Sequence, residues 1–467
     1  MNIAWEEHEA RLNEGDMKHR SVLNVILWSF GQIPVEMPNE FTHRINIIFL
    51  LLLIEEGIDY TTALAIFSVV ILVCSILGGI INFVILCFAV RYAWKKQTII
   101  VIAAFFLIFN IAACWIYHYS AFAILLFFTA WLPQAAIAMH GSQVPFISTT
   151  DLHQFADHLS ILMSMITGNL YIYIARILPN LQYFNSNTQA LAKLGSSEVI
   201  KPTGTIYITT GICVFGLLCL IPYLFLQEHS TKPPIKSFRY NFLYIFNEFI
   251  TIIGDMIHEK NFLLLLVCII GIQYGPLYVS ILFSTVQSDI FHTSELNLEI
   301  KENIFFYMYF ICFFIVPPML HKWGPRFMML IMLGATIIET TLQMVVVFSE
   351  PLSYVACVCC GFVNASMNVT IRRFIYENCT YETISMHYGV VTILIKIMNS
   401  VSVLLSLIYS FQENTYYFIR YFLVICIFFI LACIGIICAV FTKDHHKEYV
   451  LGLRPPYLRY KIVEEKD

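Results

Sequence analysis

From Thr62 to Val90 the sequence reads TALAIFSVVILVCSILGGIINFVILCFAV, without one Asp, Glu, Lys or Arg. RYAWKK follows at 91–96, and a second apolar run begins at Gln97. A helix needs about 20 such residues to cross a hydrocarbon core of about 30 Å. A barrel strand needs only about ten, alternating in polarity, and no such alternation is present. The passage therefore reads as two membrane-spanning helices joined by a short basic loop.

The same pattern recurs along all 467 residues, of which 59% are apolar and 12% charged. Mean hydropathy is +0.74, and soluble domains carry about 25% charged residues. Apolar runs between polar breaks give twelve expected spans: 38–54, 62–90, 97–117, 120–147, 158–178, 205–227, 262–285, 303–320, 326–348, 352–371, 386–410 and 419–441. Pro34 and Pro38 interrupt the first, and Val22–Ile33 is expected to extend it or lie along the interface. The polar stretch Met1–Arg20 lacks the pattern of a cleavable signal, which leaves insertion to the first span.

Of 27 Lys and Arg residues, twenty fall on one side if both termini are cytosolic, including Arg91, Lys95, Lys96, Lys322, Arg326, Arg372 and Arg373. Only Lys193, Lys201 and Lys301 fall on the other. That asymmetry places both termini inside. Six spans precede and six follow a segment with Pro233-Pro234 and an amphipathic stretch at Phe242, Ile245, Phe249 and Ile252-Ile253, suited to the inner membrane surface. The expected organisation is a cytosolic or interfacial segment at 1–37, a six-helix bundle at 38–228, a linker at 229–261, a second bundle at 262–442 and a tail at 443–467. Two such bundles suit rocking about a midplane site.

Most of the 14 cysteines sit within apolar runs, where thiols act as small hydrophobes. Cys357, Cys359 and Cys360 lack a second Cys/His cluster at zinc spacing, so no metal site is expected. A net charge of −4 implies no nucleic-acid partner. No HExxH, GxSxG or paired-acid motif lies in a span, so no enzyme is expected.

The loops at 91–97 and 321–327 occupy equivalent places in the two halves, and both resemble the short basic loop of the major facilitator superfamily. Further segments resemble one branch, the proton-coupled oligopeptide transporters. Asn39-Glu40-Phe41-Thr42-His43-Arg44 is similar to that branch's first-span Asn-Glu-Phe-x-Glu-Arg, and Trp94–Ile100 to its following basic loop. Pro145–Phe155, with Ser148, Asp151 and Gln154, is similar to the fourth-span signature, and Asn169 matches an Asn of the fifth span. Pro318–Phe327, with Lys322, Gly324 and Arg326, is similar to the loop between the eighth and ninth spans. The chain departs from the branch at Val144, where a lysine is usual, and between Ser353 and Thr370, where a tenth-span Glu is missing.

The resemblance implies an all-α polytopic protein of twelve transmembrane helices in two bundles, major facilitator in type. It also implies Arg44, with Asn169, at the substrate, Glu40 exchanging protons, and Lys95, Lys96, Asp151, Gln154, Lys322, Gly324 and Arg326 in loop and gate motifs. Glu40, His43 and Arg44 share one helix face, and charges at mid-bilayer normally face a wet cavity. An unperturbed imidazole titrates near about 6.5, which suits His43 to share the proton role. A Glu40–Arg44 bridge that only stiffens the helix is the alternative. Lys396, mid-span on the eleventh helix, is expected to supply the cation absent at Val144, or to pair with a neighbour such as Ser400. Glu339 and His140 read as structural, and Arg176 and Arg420 as snorkelling to headgroups.

Three functions stay open. One is proton-driven uptake of short peptides, with no cofactor beyond the gradient. The second is carriage of another small solute such as an amino acid, nitrate or an organic anion. The third is a non-transporting, receptor-like relic. The expected setting is a monomer in the plasma membrane, in contact with lipid and a small solute.

Overall fold

The computed structural model describes residues 22–36, 49, 52–54, 56–92, 94–113, 115–116, 118–148, 152–177, 203–227, 241–272, 295–345, 351–379, 383–410 and 417–450. The described elements are all helical. In the first half they are α1 (22–36), α2 (Tyr60–Arg91), α3 (Lys95–Ala113), α4 (Tyr119–Gly141), the short α5 (Val144–Ile147), α6 (His153–Ile177) and α7 (Thr203–Tyr223). Next come α8 (Asn241–His258), α9 (Lys260–Ile272), α10 (Glu295–Val345), α11 (Pro351–Asn378), α12 (Ile384–Ser410), α13 (Tyr417–Phe441) and α14 (His446–Val450). Among the described residues, Ala65–Val90, Lys95–Ala112, Tyr307–Val345, Pro351–Asn378 and Phe422–Phe441 are long and apolar enough to cross a membrane. Ile80, Ile124, Phe310, Phe314 and Ile437 leave their apolar side chains exposed, as lipid-facing positions do.

Three local features follow from sequence. Asp59 starts α2 by accepting the Thr62 backbone N–H at 2.9 Å, satisfying a donor left over at a helix N-terminus. α4 stops at Gly141, short of the expected 147, because Pro145 has no N–H to give the carbonyl four residues back. α10 joins two expected spans through Gly324, whose φ of 79° suits glycine. A Cβ there would also lie 2.7 Å from the His446 ring.

In α1, Val25, Trp28, Ile33 and Val35 are buried within the core. α11 runs seven residues past its expected end, carrying Arg372 and Arg373 out of the loop class and into the interior. Such charges are tolerated inside only when paired, and partners are present.

Within the first half α2 packs on α4, α3 on α4 and α7. In the second, α10 packs on α11 and α13. The halves meet where α12 lies along α2 and α4, and where α6 meets α10 and α11. Small residues make the α2–α12 approach close. A Cβ added at Gly79 would lie 2.8 Å from Ile393 Cγ2, and one added at Gly389 would collide with Leu86.

Candidate functional site

At the end of the seam that carries the basic loops, polar groups from both halves close the space between them. Arg372 of α11 donates to Asp157 of α6 at 2.7 Å and to Ser160 Oγ at 3.1 Å. Both charged side chains are about 4% exposed. The guanidinium lies 5.1 Å from the Trp28 ring of α1. Trp28 stacks on His140 of α4 with centroids 4.7 Å apart. The Trp28 indole N–H donates to the His140 carbonyl, and His140 Nε2–H donates to the Trp28 carbonyl, each at 2.9 Å. A cation between a carboxylate and an aromatic face has two favourable partners.

The ion pair is one strut of several. The Gly141 carbonyl, left free by Pro145, accepts the Tyr376 hydroxyl of α11. Ser385 of α12 donates to Ser142 at 2.9 Å. On α6, Gln32 of α1 donates to the Ser160 carbonyl and to Ser164 Oγ, and Ser164 donates to Glu36 at 2.6 Å. The pair is thereby fixed to α1, α4, α6, α11 and α12 together.

A second layer lies nearer the tail. Arg373 sits 3.7 Å from Glu377 and 5.1 Å from the Tyr449 ring, while His153 of α6 contacts the Tyr449 hydroxyl. His446 faces two acceptors, Glu377 at 2.8 Å through Nδ1 and the His321 carbonyl at 2.9 Å through Nε2. Only imidazolium donates from both nitrogens. Burial alone would lower the pKa of His446, but the Glu377 carboxylate outweighs it and holds the pKa above 6.5.

The linkage has a definite sign. A raised histidine pKa gives stability that is complete below about pH 6.5 and is lost as pH rises through the folded value. His446→Gln should therefore cost about 1.5–3 kcal/mol, the worth of a charge-assisted hydrogen bond, at pH 6. The variant should cost progressively less above neutrality. Thermal melts from pH 6 to 9 check this: parallel curves for both proteins would show that the imidazolium contributes nothing.

The loop cations repeat one device in each half. Lys96 Nζ donates to the carbonyls ending α7, reaching Leu226 at 2.8 Å. Arg326 donates to the Ala439 and Val440 carbonyls at the end of α13, at 3.2 and 2.6 Å. Helix C-termini present unsatisfied carbonyls and partial negative charge, so cations are stabilised there. The two basic loops thus hold equivalent helix ends in their own halves. Lys95 lies 4.0 Å over the Phe146 ring and Lys322 lies 5.2 Å from the Trp323 ring.

Of the other residues singled out by sequence, Glu40, His43, Arg44 and Asp151 lie outside the described residues. Asn169 lies on α6, with its side chain outside them, and Gln154 stands in the first turn of α6, half-buried. Val144 is buried in α5. Lys396 is buried on α12, with Cys74 of α2 as an electrostatic neighbour. Glu339 is fully buried beside the Cys360 thiol. The Asp157–Arg372 pair was not anticipated. Its visible signals were an acid in the first turns of a membrane helix and two adjacent arginines.

Residues 190–407 match the family model described as Major Facilitator Superfamily. No curated protein matches the chain. Solved structures similar to it include the human organic anion transporter MFSD10 (TETRAN), with a TM-score of 0.61 at 9% identity over 90% of this chain and 99% of that one. Another is the proton:xylose symporter XylE bound to 6-bromo-6-deoxy-D-glucose, with a TM-score of 0.58 at 11% identity over 92% and 98%. A third is FucP in the outward conformation, with a TM-score of 0.59 at 13% identity over 91% and 98%. Helix order, apolar spans and these likenesses agree: the chain is an all-α, multi-pass membrane protein with the major facilitator fold.

Proposed function

We propose that the chain is a secondary carrier that moves a small solute by alternating access, with the Asp157–Arg372 pair as the gate on the face of the basic loops. The observation that carries this reading is the pair itself. It joins α6 to α11 across the seam, where a rocking motion has to part the halves. A buried pair contributes little net stability compared with apolar packing, yet losing one partner is costly. Such a contact suits a switch better than a rivet.

The specific reading is uptake of short peptides driven by protons. It rests on the segments Asn39–Arg44, Pro145–Phe155 and Pro318–Phe327 and on the spacing of Glu40, His43 and Arg44. In that reading Arg44 grips a carboxylate and Glu40 and His43 handle the proton. Val144 and the missing acid between Ser353 and Thr370 favour a second solute class, a small organic anion without an amino terminus. A structural neighbour is an organic anion transporter.

Uptake into proteoliposomes of dipeptides, amino acids and organic anions, with and without a pH gradient, separates the two. Accumulation of dipeptides driven by an inward proton gradient supports the first, and anion uptake alone the second. No uptake of any member would end the carrier reading. Under either, Arg44→Lys keeps charge but loses the planar fork, so affinity should fall by about 1.5–3 kcal/mol. Unchanged affinity in Arg44→Lys and Arg44→Ala would leave Arg44 as a helix-stiffening partner of Glu40.

A further inference from the structure

Away from the gate, three side chains of different chemistry converge where α8, α9, α11 and α12 end or begin. Glu259 stands between α8 and α9, Cys379 directly follows α11, and His387 lies in the first turn of α12. One carboxylate oxygen, the Cys379 thiol sulfur and one imidazole nitrogen all lie within 4.8 Å of one another. His387 Nε2 and Glu259 Oε2 are 3.0 Å apart. His387 and Cys379 are buried, while the Glu259 side chain is 46% exposed and open to entry from water.

The orientation of His387 makes this more than proximity. Its Nδ1 lies 2.9 Å from the Thr383 carbonyl, which can only accept, so Nδ1 carries a proton. Nε2 faces the carboxylate and the sulfur: it donates to Glu259 when protonated, and on losing that proton it presents a lone pair to the same two groups. Metal-ligating histidines are typically held this way, the second nitrogen donating to a carbonyl. The Phe262 ring packs edge-on at 4.6 Å and fixes the imidazole plane. The three groups hold one positive charge among them, supplied either by a proton on Nε2 or by a metal ion that displaces it.

We propose that Glu259, Cys379 and His387 form a binding site for Zn2+, with water as the fourth ligand. One sulfur, one nitrogen and one oxygen make a borderline donor set that suits zinc, at about 2.3, 2.0 and 2.1 Å respectively. A tetrahedral site sets its ligand atoms roughly 3.5 Å apart, so the three groups need only a small contraction. Binding displaces two protons, one from the Cys379 thiol and one from His387 Nε2, and both leave to solvent. The ion would tie the segment that enters the second half to the turn between α11 and α12, where Asn261 already donates to Asn378 at 3.2 Å.

The test uses the full chain in lipid nanodiscs with Zn2+ alone as the probe. Metal content after desalting should be about one equivalent per chain. Co2+ in its place should show thiolate-to-metal charge transfer and the intense visible bands of tetrahedral coordination. Cys379→Ser and His387→Gln should weaken binding at least tenfold and abolish the charge-transfer band or alter the tetrahedral spectrum. Glu259→Gln, at an exposed position, should fold normally and still weaken binding about tenfold. Cys357→Ser should change nothing. No zinc retained by the wild type, or equal retention by Glu259→Gln and Cys379→Ser, would overturn the site and leave a His387–Glu259 ion pair. Neither outcome bears on uptake, which is measured separately.

Discussion

Arg372→Met should open the face of the basic loops and remove most concentrative uptake. The substitution leaves Asp157 buried without its partner, a loss of about 3–5 kcal/mol from the closed state alone. Each 1.4 kcal/mol is tenfold in an equilibrium, so closed-to-open populations should shift by about a hundredfold or more. A cysteine at Ser385, buried in the wild type, should gain reactivity toward a thiol reagent by a similar factor. Pairing Arg372→Met with Asp157→Leu removes both charges, and the closed face should then recover. If Ser385→Cys reacts equally slowly in all three backgrounds, the pair is a packing feature and the gate lies elsewhere.

Trp28→Ala should give the largest loss of stability among single changes in the first half. The indole is fully buried, and large-to-small changes of aromatic side chains cost about 3–5 kcal/mol. Trp28 also stacks on His140, exchanges two hydrogen bonds with that residue and lies beneath the Arg372 guanidinium. Trp28→Phe keeps a ring but loses the N–H, leaving the His140 carbonyl one donor short, and should cost about 1–3 kcal/mol. Thermal unfolding in detergent reads both. Little change in either variant would mean that α1 is not pinned through this tryptophan.

Membrane proteins write some of their structure plainly. α2 and α13 are legible because lipid tolerates no charge on a spanning face, so uncharged runs announce themselves. The basic loops are legible for the same reason, but that Lys96 and Arg326 meet helix ends is visible only in the structure. What the sequence hides is pairing across distance. Arg372 reads as an inner-loop cation until Asp157, which is 215 positions away, removes its need for water. α4 carries an apolar run through 147, yet one missing N–H at Pro145 breaks the helix and frees Gly141 for Tyr376. Val22–Ile33 has too little length to declare itself a span. Contacts far along the chain pack it into the core: Trp28 stacks on His140 and Gln32 donates to the Ser160 carbonyl. Glu259, Cys379 and His387 gave no spacing signal, because the fold rather than a local motif brings them together.

Alternating access requires that the gate part during every cycle, and two serines allow that to be tested directly. Ser142 and Ser385 stand on opposite halves with hydroxyls 2.9 Å apart, close enough for cysteines to form a disulfide of about 2.05 Å with small adjustment. Solute uptake should be measured in the Ser142→Cys/Ser385→Cys protein, in a background where neither single variant cross-links. Oxidation should stop transport of every solute that the reduced protein carries, and reductant should restore it. Full-rate uptake by the cross-linked protein would contradict the account.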